Sequence, residues 1–296
     1  MTFNEAYDEL VRRAGDLIEF KRQRLSLIHG NSPIMNLGSI DDEMISPLRE
    51  YILAMDTKAQ FPSRSFSFLD MSEIWVGGAL NPTQMNPAIR KVMEPVLPTI
   101  RRQICEGTNQ DLMMMRAVIK TFDSNALILP HCDDFTSHQI SIRTHVPIMM
   151  TSDAIGINWH PQTFKPSFWR TPVGSFFAFN NFEPHSLVKL NPGSICCDLV
   201  VDFMPANLYR SANHAEFMAL RQAADGHAPG FSEAENLHGI THSLSSLTVR
   251  NRLLEEAGFD SKHFKFHDHL KPEVVSNLRG IVLSLARLGE AELDKA

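Results

Sequence analysis

The chain has 296 residues, of which 43% are hydrophobic and 21% charged, and a net charge of −6 from 28 Lys and Arg against 34 Asp and Glu; this is the balance of an ordinary globular protein. The acidic excess argues against a nucleic-acid binder, which normally carries a basic one. No apolar run approaches the ~20 residues of a membrane span, and Glu5, Asp8, Glu9, Asp16 and Glu19 are unlike a signal peptide.

Four cysteines, two of them adjacent (Cys196, Cys197), form no disulfide framework, so a reducing cytoplasm is the expected compartment. In chain order, Phe3, Ala6, Leu10, Ala14, Leu17 and Ile18 recur at helical spacing and predict an amphipathic helix over 3–28, ended by Gly30-Asn31-Ser32-Pro33. A second helix is expected from Ser39 to Met55, with Asp41, Asp42 and Glu43 at its positive end. A third lies within 81–106, interrupted by Pro95 and Pro98.

From Asp111 the character changes to short runs rich in β-branched and aromatic residues. Strands are predicted at Leu112–Phe122, Ala126–Leu129, Gln139–Met150, Ile155–Trp159, Ser175–Phe179, Ser186–Leu190 and Ile195–Phe203. Asn191-Pro192-Gly193-Ser194 is a turn sequence, so 186–203 reads as a hairpin. Seven closely spaced strands predict a sandwich or barrel. Helices return at Ala215–Ala224, Ser245–Ala257 and Pro272–Leu288, with a linker over 226–230. The expected organisation is mainly β with flanking helices: residues 1–208 as N-terminal helices and β-core, 209–296 as a small helical C-terminal unit.

Most of the thirteen histidines lack a partner set: His29, His138, His160, His214, His227, His238, His242, His263, His267 and His269 read as solvated or capping residues. His267-Asp268-His269 has metal-like spacing but sits in the C-terminal unit beside lysines. His131-Cys132-Asp133 differs by its placement after a strand-like run. Residues i and i+2 of an extended chain project to one side, so His131 and Asp133 can grip one ion while Cys132 points away. His185, after Phe176-Phe177-Ala178-Phe179, is placed to supply a third ligand from a neighbouring strand. Two histidines and one carboxylate on one face of a metal leave positions open, the facial arrangement of non-haem Fe(II) oxygenases. A hydrogen-bonded polar cluster at a barrel mouth is the alternative for the same trio.

A 2-oxo acid with a second carboxylate needs a cation, and Arg suits it best. Arg143 lies mid-strand on the same face as His145, and a buried Arg must be paired, either by a bound carboxylate or by Asp198 or Asp202. Arg116 and Lys120 share a strand face and raise the same question.

Asn125–Pro130 leading to His131-Cys132-Asp133, then Arg143-Thr144-His145, Gly174 eleven residues before His185-Ser186, and Leu199-Val200-Val201-Asp202-Phe203 together resemble the aspartyl/asparaginyl β-hydroxylase type of Fe(II)/2-oxoglutarate oxygenase. Within it, the chain is most similar to the bacterial free L-proline hydroxylases. The resemblance covers 110–205, and 231–290 could match the helical C-terminal unit of those enzymes. It implies a double-stranded β-helix (jelly-roll) core. It implies His131, Asp133 and His185 as iron ligands and catalytic centre, and Arg143 and His145 as pocket residues for a carboxylate. The chain departs from the family on the strand after the distal histidine: Ser194-Ile195-Cys196 stands where the family carries an Arg for 2-oxoglutarate. Lys189, Lys120 and Arg143 are the substitutes to weigh. Arg116, Trp159 and His160 are candidates for the substrate mouth, and Phe164, Phe168 and Trp169 for a lid.

The expected function is therefore Fe(II)/2-oxoglutarate-dependent hydroxylation of a free, proline-like amino acid or a small amino-acid-derived molecule, with ascorbate as an in vitro additive. The expected partner is a small molecule, not nucleic acid or membrane, and the C-terminal helices could pair subunits into a homodimer. A hydrolase or isomerase using the same metal site as a Lewis acid, or a binding protein on an oxygenase scaffold, are the competing readings.

Overall fold

The computed structural model describes residues 3–54, 63–66, 71–77, 87–122, 126–133, 139–191, 196–210, 244–262, 264, 268–269 and 271–295. The predicted helix Ala215–Ala224, the 226–230 linker and most of the 191–194 turn lie outside these residues, as do His138, His214, His227, His238, His242, His263 and His267. Eight helices are described: α1 (Phe3–Arg13), α2 (Gly15–Leu25), α3 (Asp42–Ala54), α4 (Pro87–Met93), α5 (Val96–Thr108), α6 (Ala206–Arg210), α7 (Leu244–Glu256) and α8 (Pro272–Leu293). The strands are β1 (Ile34–Ser39), β2 (Ser63–Phe66), β3 (Met71–Gly77), β4 (Leu112–Phe122), β5 (Ile142–Met149), β6 (Ala154–Trp159), β7 (Pro166–Trp169), β8 (Ser175–Phe179), β9 (His185–Lys189) and β10 (Cys196–Pro205). Among the described residues no helix is long and apolar enough to cross a membrane.

A seven-stranded antiparallel sheet runs β1-β8-β5-β10-β4-β3-β2, and a three-stranded one β7-β6-β9. The segment 126–131 adds to the free side of β9 through bridges Leu127↔Val188 and His131↔His185. From β4 onward the chain alternates between sheets: β4 large, 126–131 small, β5 large, β6 and β7 small, β8 large, β9 small, β10 large. That alternation, closing β8-β5-β10-β4 against β7-β6-β9-(126–131), is a double-stranded β-helix.

The predicted 186–203 hairpin is corrected by this pairing. β9 bonds to β6 in the small sheet, whereas β10 lies between β4 and β5 in the large one. All ten residues of β10 are buried, which suits a central strand with partners on both edges.

Strand alternation sorts the large sheet into two faces. Ala117, Ile119, Ile142, Val146, Ile148, Phe176, Ala178, Leu199, Val201 and Phe203 turn outward to a core shared with α2, α3, α4 and α5. Their neighbours Lys120, Arg143, His145, Phe177, Phe179 and Asp198 turn inward and line a cavity between the sheets.

The helix expected over 3–28 is two helices meeting at Ala14, whose ψ of 6° leaves the helical region. α5 accommodates Pro98 because its third residue has no intrahelical N–H partner to lose. The C-terminal helices are packed on the small sheet. Val274, Leu278, Val282 and Ala286, spaced four apart on α8, share a core with Ile155, Ile157, Trp159 and Val188. Such side chains contribute about 1.5–3 kcal/mol each when fully buried. Gly289 allows the approach: a methyl group there would lie 2.3 Å from Phe168 Cδ1.

Candidate metal centre

His131 and His185 are held by two reciprocal backbone hydrogen bonds, His131 N–H to His185 O (3.0 Å) and His185 N–H to His131 O (2.8 Å). The pair sets the imidazoles side by side, ring centroids 4.2 Å apart. Two residues on, Asp133 N–H donates to Asn181 O at 2.7 Å, which returns the carboxylate to the same mouth. One donor atom from each of His131, Asp133 and His185 lies within 4.8 Å of the other two, and His131 Nε2 is 3.8 Å from Asp133 Oδ1. The three residues predicted from spacing therefore come together, from the 126–133 segment and the start of β9.

Second contacts fix which atoms face the centre of the trio. His131 Nδ1 lies 2.9 Å from Leu129 O, and His185 Nδ1 lies 2.9 Å from Glu183 O. A carbonyl accepts only, so each Nδ1 carries the proton and each Nε2 presents a lone pair. Arg143 Nη1 donates to Asp133 Oδ2, so Oδ1 is the oxygen left toward the histidines. Burial pushes the His131 imidazole down to about 4, with Lys120 and Arg250 lowering it further against Asp133 and the Leu129 carbonyl. Burial and then His131 hold His185 well below the usual imidazole range. Both rings are neutral at pH 7, the form a metal requires.

These depressed values predict an acid-sensitive apoprotein. Between about pH 6.5 and 4 the unfolded chain binds protons that the folded chain refuses, so stability rises with pH through that window and is lost as pH falls through it. His269, pushed to about 4 by burial and Arg250, acts in the same direction. Denaturant midpoints of metal-free protein should fall from pH 7 to pH 5, and His131→Gln should flatten that slope.

The remaining predicted residues divide. Arg143 is buried and engaged on two sides: Nε donates to Asp202 Oδ1 at 2.8 Å, and Nη1 meets Asp133. Arg116 reaches the same Asp202 from β4, 2.8 Å from Oδ2. Asp202 sits opposite both arginines in register, so their partner is this carboxylate. His145 and Lys120 line the cavity. Lys189 is buried at the far end of β9 near Asp153 and is not among the cavity's lining residues. Trp159 packs in the core with α7 and α8, and His160 Nδ1 accepts backbone N–H groups of Gln162 and Thr163 in a turn; neither lines the cavity. Of the expected lid, Phe164 and Phe168 pack against the α8 core, while Trp169 forms cavity wall. Cys132 is fully buried and outside the ligand group. In the 267–269 motif, Asp268 pairs with Lys271 at 2.8 Å and His269 is buried beside Arg250.

Trp169 is set by two neighbours. Its Nε1 donates to Asn158 Oδ1 at 2.8 Å, and Gly156 leaves room beneath the indole, where a methyl group would lie 2.1 Å from Cε2. Gly156→Ala should therefore displace the indole and cost about 1–3 kcal/mol, read from thermal unfolding and from tryptophan fluorescence.

Three contributors were not singled out in the sequence. Arg250 of α7, pushed down to about 10 by burial, donates Nε–H to Pro130 O at 2.8 Å, one residue before His131. Lys21 of α2, pushed down to about 7 by burial, donates to Ser141 O at 2.7 Å and lies over the Phe182 ring. Glu183 accepts from Ser26 Oγ and Leu27 N–H, both at 2.8 Å, and ties the loop before His185 to the end of α2.

No protein-family model and no curated protein matches the chain. Among solved structures it is similar to an oxidoreductase of the 2OG-Fe(II) oxygenase family from Burkholderia pseudomallei (14% identity, TM-score 0.40, covering 53% of this chain and 77% of that one). It is also similar to a Pseudomonas putida prolyl-4-hydroxylase (10%, TM-score 0.42, 65% and 98%). A third is HygX from Streptomyces hygroscopicus, with nickel and 2-oxoglutarate bound (8%, TM-score 0.42, 58% and 82%).

Proposed function

We propose that the protein is an Fe(II)- and 2-oxoglutarate-dependent oxygenase that hydroxylates a free, proline-like amino acid or a small amino-acid-derived molecule. The observation that carries this reading is the convergence of two neutral Nε2 atoms and one carboxylate oxygen at the mouth of a double-stranded β-helix. Two nitrogens and one oxygen on one side of an ion suit a non-haem ferrous centre with positions left for cosubstrate and dioxygen. Bound there, the iron and 2-oxo acid would supply the oxidising chemistry: substrate C–H, O2 and 2-oxoglutarate become substrate C–OH, succinate and CO2. His131, Asp133 and His185 would hold the ion. The Leu129 and Glu183 carbonyls keep the imidazoles oriented, and Arg143 keeps one Asp133 oxygen away from it. Phe177, Phe179, Trp169 and Ile128 line the cavity and would exclude water from the reacting centre. A lining that mixes aromatic walls with Lys120, His145 and Asp198 suits a small polar substrate.

The test is succinate formation by Fe(II)-loaded protein with 2-oxoglutarate, ascorbate and a panel of free amino acids. Substrate-stimulated succinate with a matching +16 Da product supports the reading; its absence across the panel overturns it. A second reading, Lewis-acid hydrolysis or isomerisation, is favoured by Asp198, an acid on the cavity face of β10. Turnover with Zn(II) or Mn(II) in the absence of 2-oxoglutarate would select it.

A further inference from the structure

The peptide unit that carries His131 is gripped at both ends. Its N–H donates to His185 O at 3.0 Å. Its carbonyl, Pro130 O, accepts from Arg250 Nε–H at 2.8 Å. The N–H and C=O of a planar trans unit point in opposite directions. The first bond therefore draws the unit toward β9, and the second holds it from the outer edge of the small sheet. Proline has no N–H, so the carbonyl is the hydrogen-bonding group Pro130 has to offer. The imidazole rests on the residue before, with Nδ1 donating to Leu129 O at 2.9 Å. Rotation of the 130–131 unit would carry His131 off that acceptor and turn Nε2 away from Asp133 and His185.

The outer grip comes from 120 residues further along the chain. Arg250 lies on α7 and is 1% exposed. Its neighbours Val249, Leu253 and Leu254 share a core with Leu127 and Leu129, of the same segment that carries His131. Those apolar contacts press α7 onto the segment but do not set the rotation of a peptide plane. A directional hydrogen bond does. A guanidinium in such a core gives up hydration and needs an acceptor, and the acceptor reached by Nε is the backbone beside His131.

We infer that Arg250 is a positioning residue for the metal centre: by holding the Pro130 carbonyl it fixes the direction of the His131 imidazole and sets how tightly a divalent ion is held. α7 thereby completes a centre whose three candidate ligands all lie before residue 186. The inference rests on the metal-centre reading above and asks nothing of cosubstrate or substrate.

The test is Mn(II) binding, with free and bound ion measured by electron paramagnetic resonance, on wild type, Arg250→Met, Arg250→Lys and Val282→Ala. Circular dichroism and Tm are recorded for each. Met keeps an unbranched apolar chain and loses the donor. It should bind Mn(II) about 10- to 100-fold more weakly, the range for partners that orient a metal ligand, and the zero-field splitting of the bound ion should change. Lys keeps a donor without the fixed planar fork, so its affinity should fall only about three- to tenfold. Val282→Ala removes apolar packing on α8; it should lower Tm and leave affinity and spectrum as in wild type. A loss of less than tenfold in Arg250→Met, an equal loss in Met and Lys variants, or a comparable loss in Val282→Ala overturns the positioning role and leaves the metal centre standing. If Arg250→Met does not fold, Arg250→Lys decides, and wild-type affinity in that variant overturns the role. Wild-type protein that binds no Mn(II) removes the metal centre and the inference together.

Discussion

His185→Ala should leave a folded protein that no longer retains iron or manganese through dialysis. Changes to residues that merely orient a metal ligand cost about 10–100-fold in affinity, and removing one of three ligands should exceed that. His131→Ala and Asp133→Ala should behave alike, because the three donor atoms form one group within 4.8 Å of each other. The fold should survive, since the His131–His185 pairing is made by backbone atoms that alanine keeps. Circular dichroism and the metal-to-protein ratio after dialysis separate these effects. His269→Ala is the matched control, a buried histidine placed beside Arg250 and outside the ligand group; it should retain a full equivalent of metal. If all three ligand variants bind one equivalent with wild-type affinity, the centre is not a metal site and the oxidation reading goes with it.

The convergence of His131, Asp133 and His185 was legible because period-two geometry and local pairing act at short range. His131 and Asp133 are two apart on extended chain, and His185 opens a strand whose apolar run is plain in the sequence. The strands β5 and β10 show the same advantage, with both faces buried and few ambiguous residues. What was missed lacked a clean local pattern. β1 is an edge strand with a register shift between Asn36 and Gly38, and β7 is four residues beginning with proline, so neither shows a clean alternation. The 190–195 connection has turn chemistry, yet nothing local says that it passes from one sheet to the other.

The missed charged residues did leave a signal. Lys21 falls in the stripe Leu10, Ala14, Leu17, Lys21, Leu25, all buried, and Arg250 falls beside Val249, Leu253 and Leu254, also buried. A cation on an apolar stripe is a request for a buried acceptor, met by Ser141 O and Pro130 O. Arg143 shows the limit of such reading. Burial and the need for a partner were both foreseeable from its strand, but choosing between a ligand carboxylate, Asp198 and Asp202 required the register of β10 against β4 and β5.

That register makes Asp202 the most exacting residue of the interior. It is fully buried and accepts from Arg143 Nε, Arg143 Nη2 and Arg116 Nε at 2.8, 3.2 and 2.9 Å. Asp202→Ala strips Arg143 of its principal counter-ion, and breaking a buried pair from one side costs about 3–5 kcal/mol. At roughly 2 °C per kcal/mol for a chain of this size, Tm of the metal-free protein should fall by roughly 6–10 °C. Arg116 is less affected, being more exposed than Arg143 (side chains 15% and 3%) and so closer to water. The combined variant Arg143→Met, Asp202→Leu removes both buried charges and should recover at least half of the loss, because two apolar side chains need no counter-ion. It should not recover metal affinity. Without Arg143 the Asp133 carboxylate loses the contact that fixes its Oδ2, and affinity should drop by about 10–100-fold as for other orienting partners. A double variant that regains stability while binding metal weakly assigns Arg143 to the orientation of Asp133; wild-type metal affinity in that variant assigns it to the interior alone.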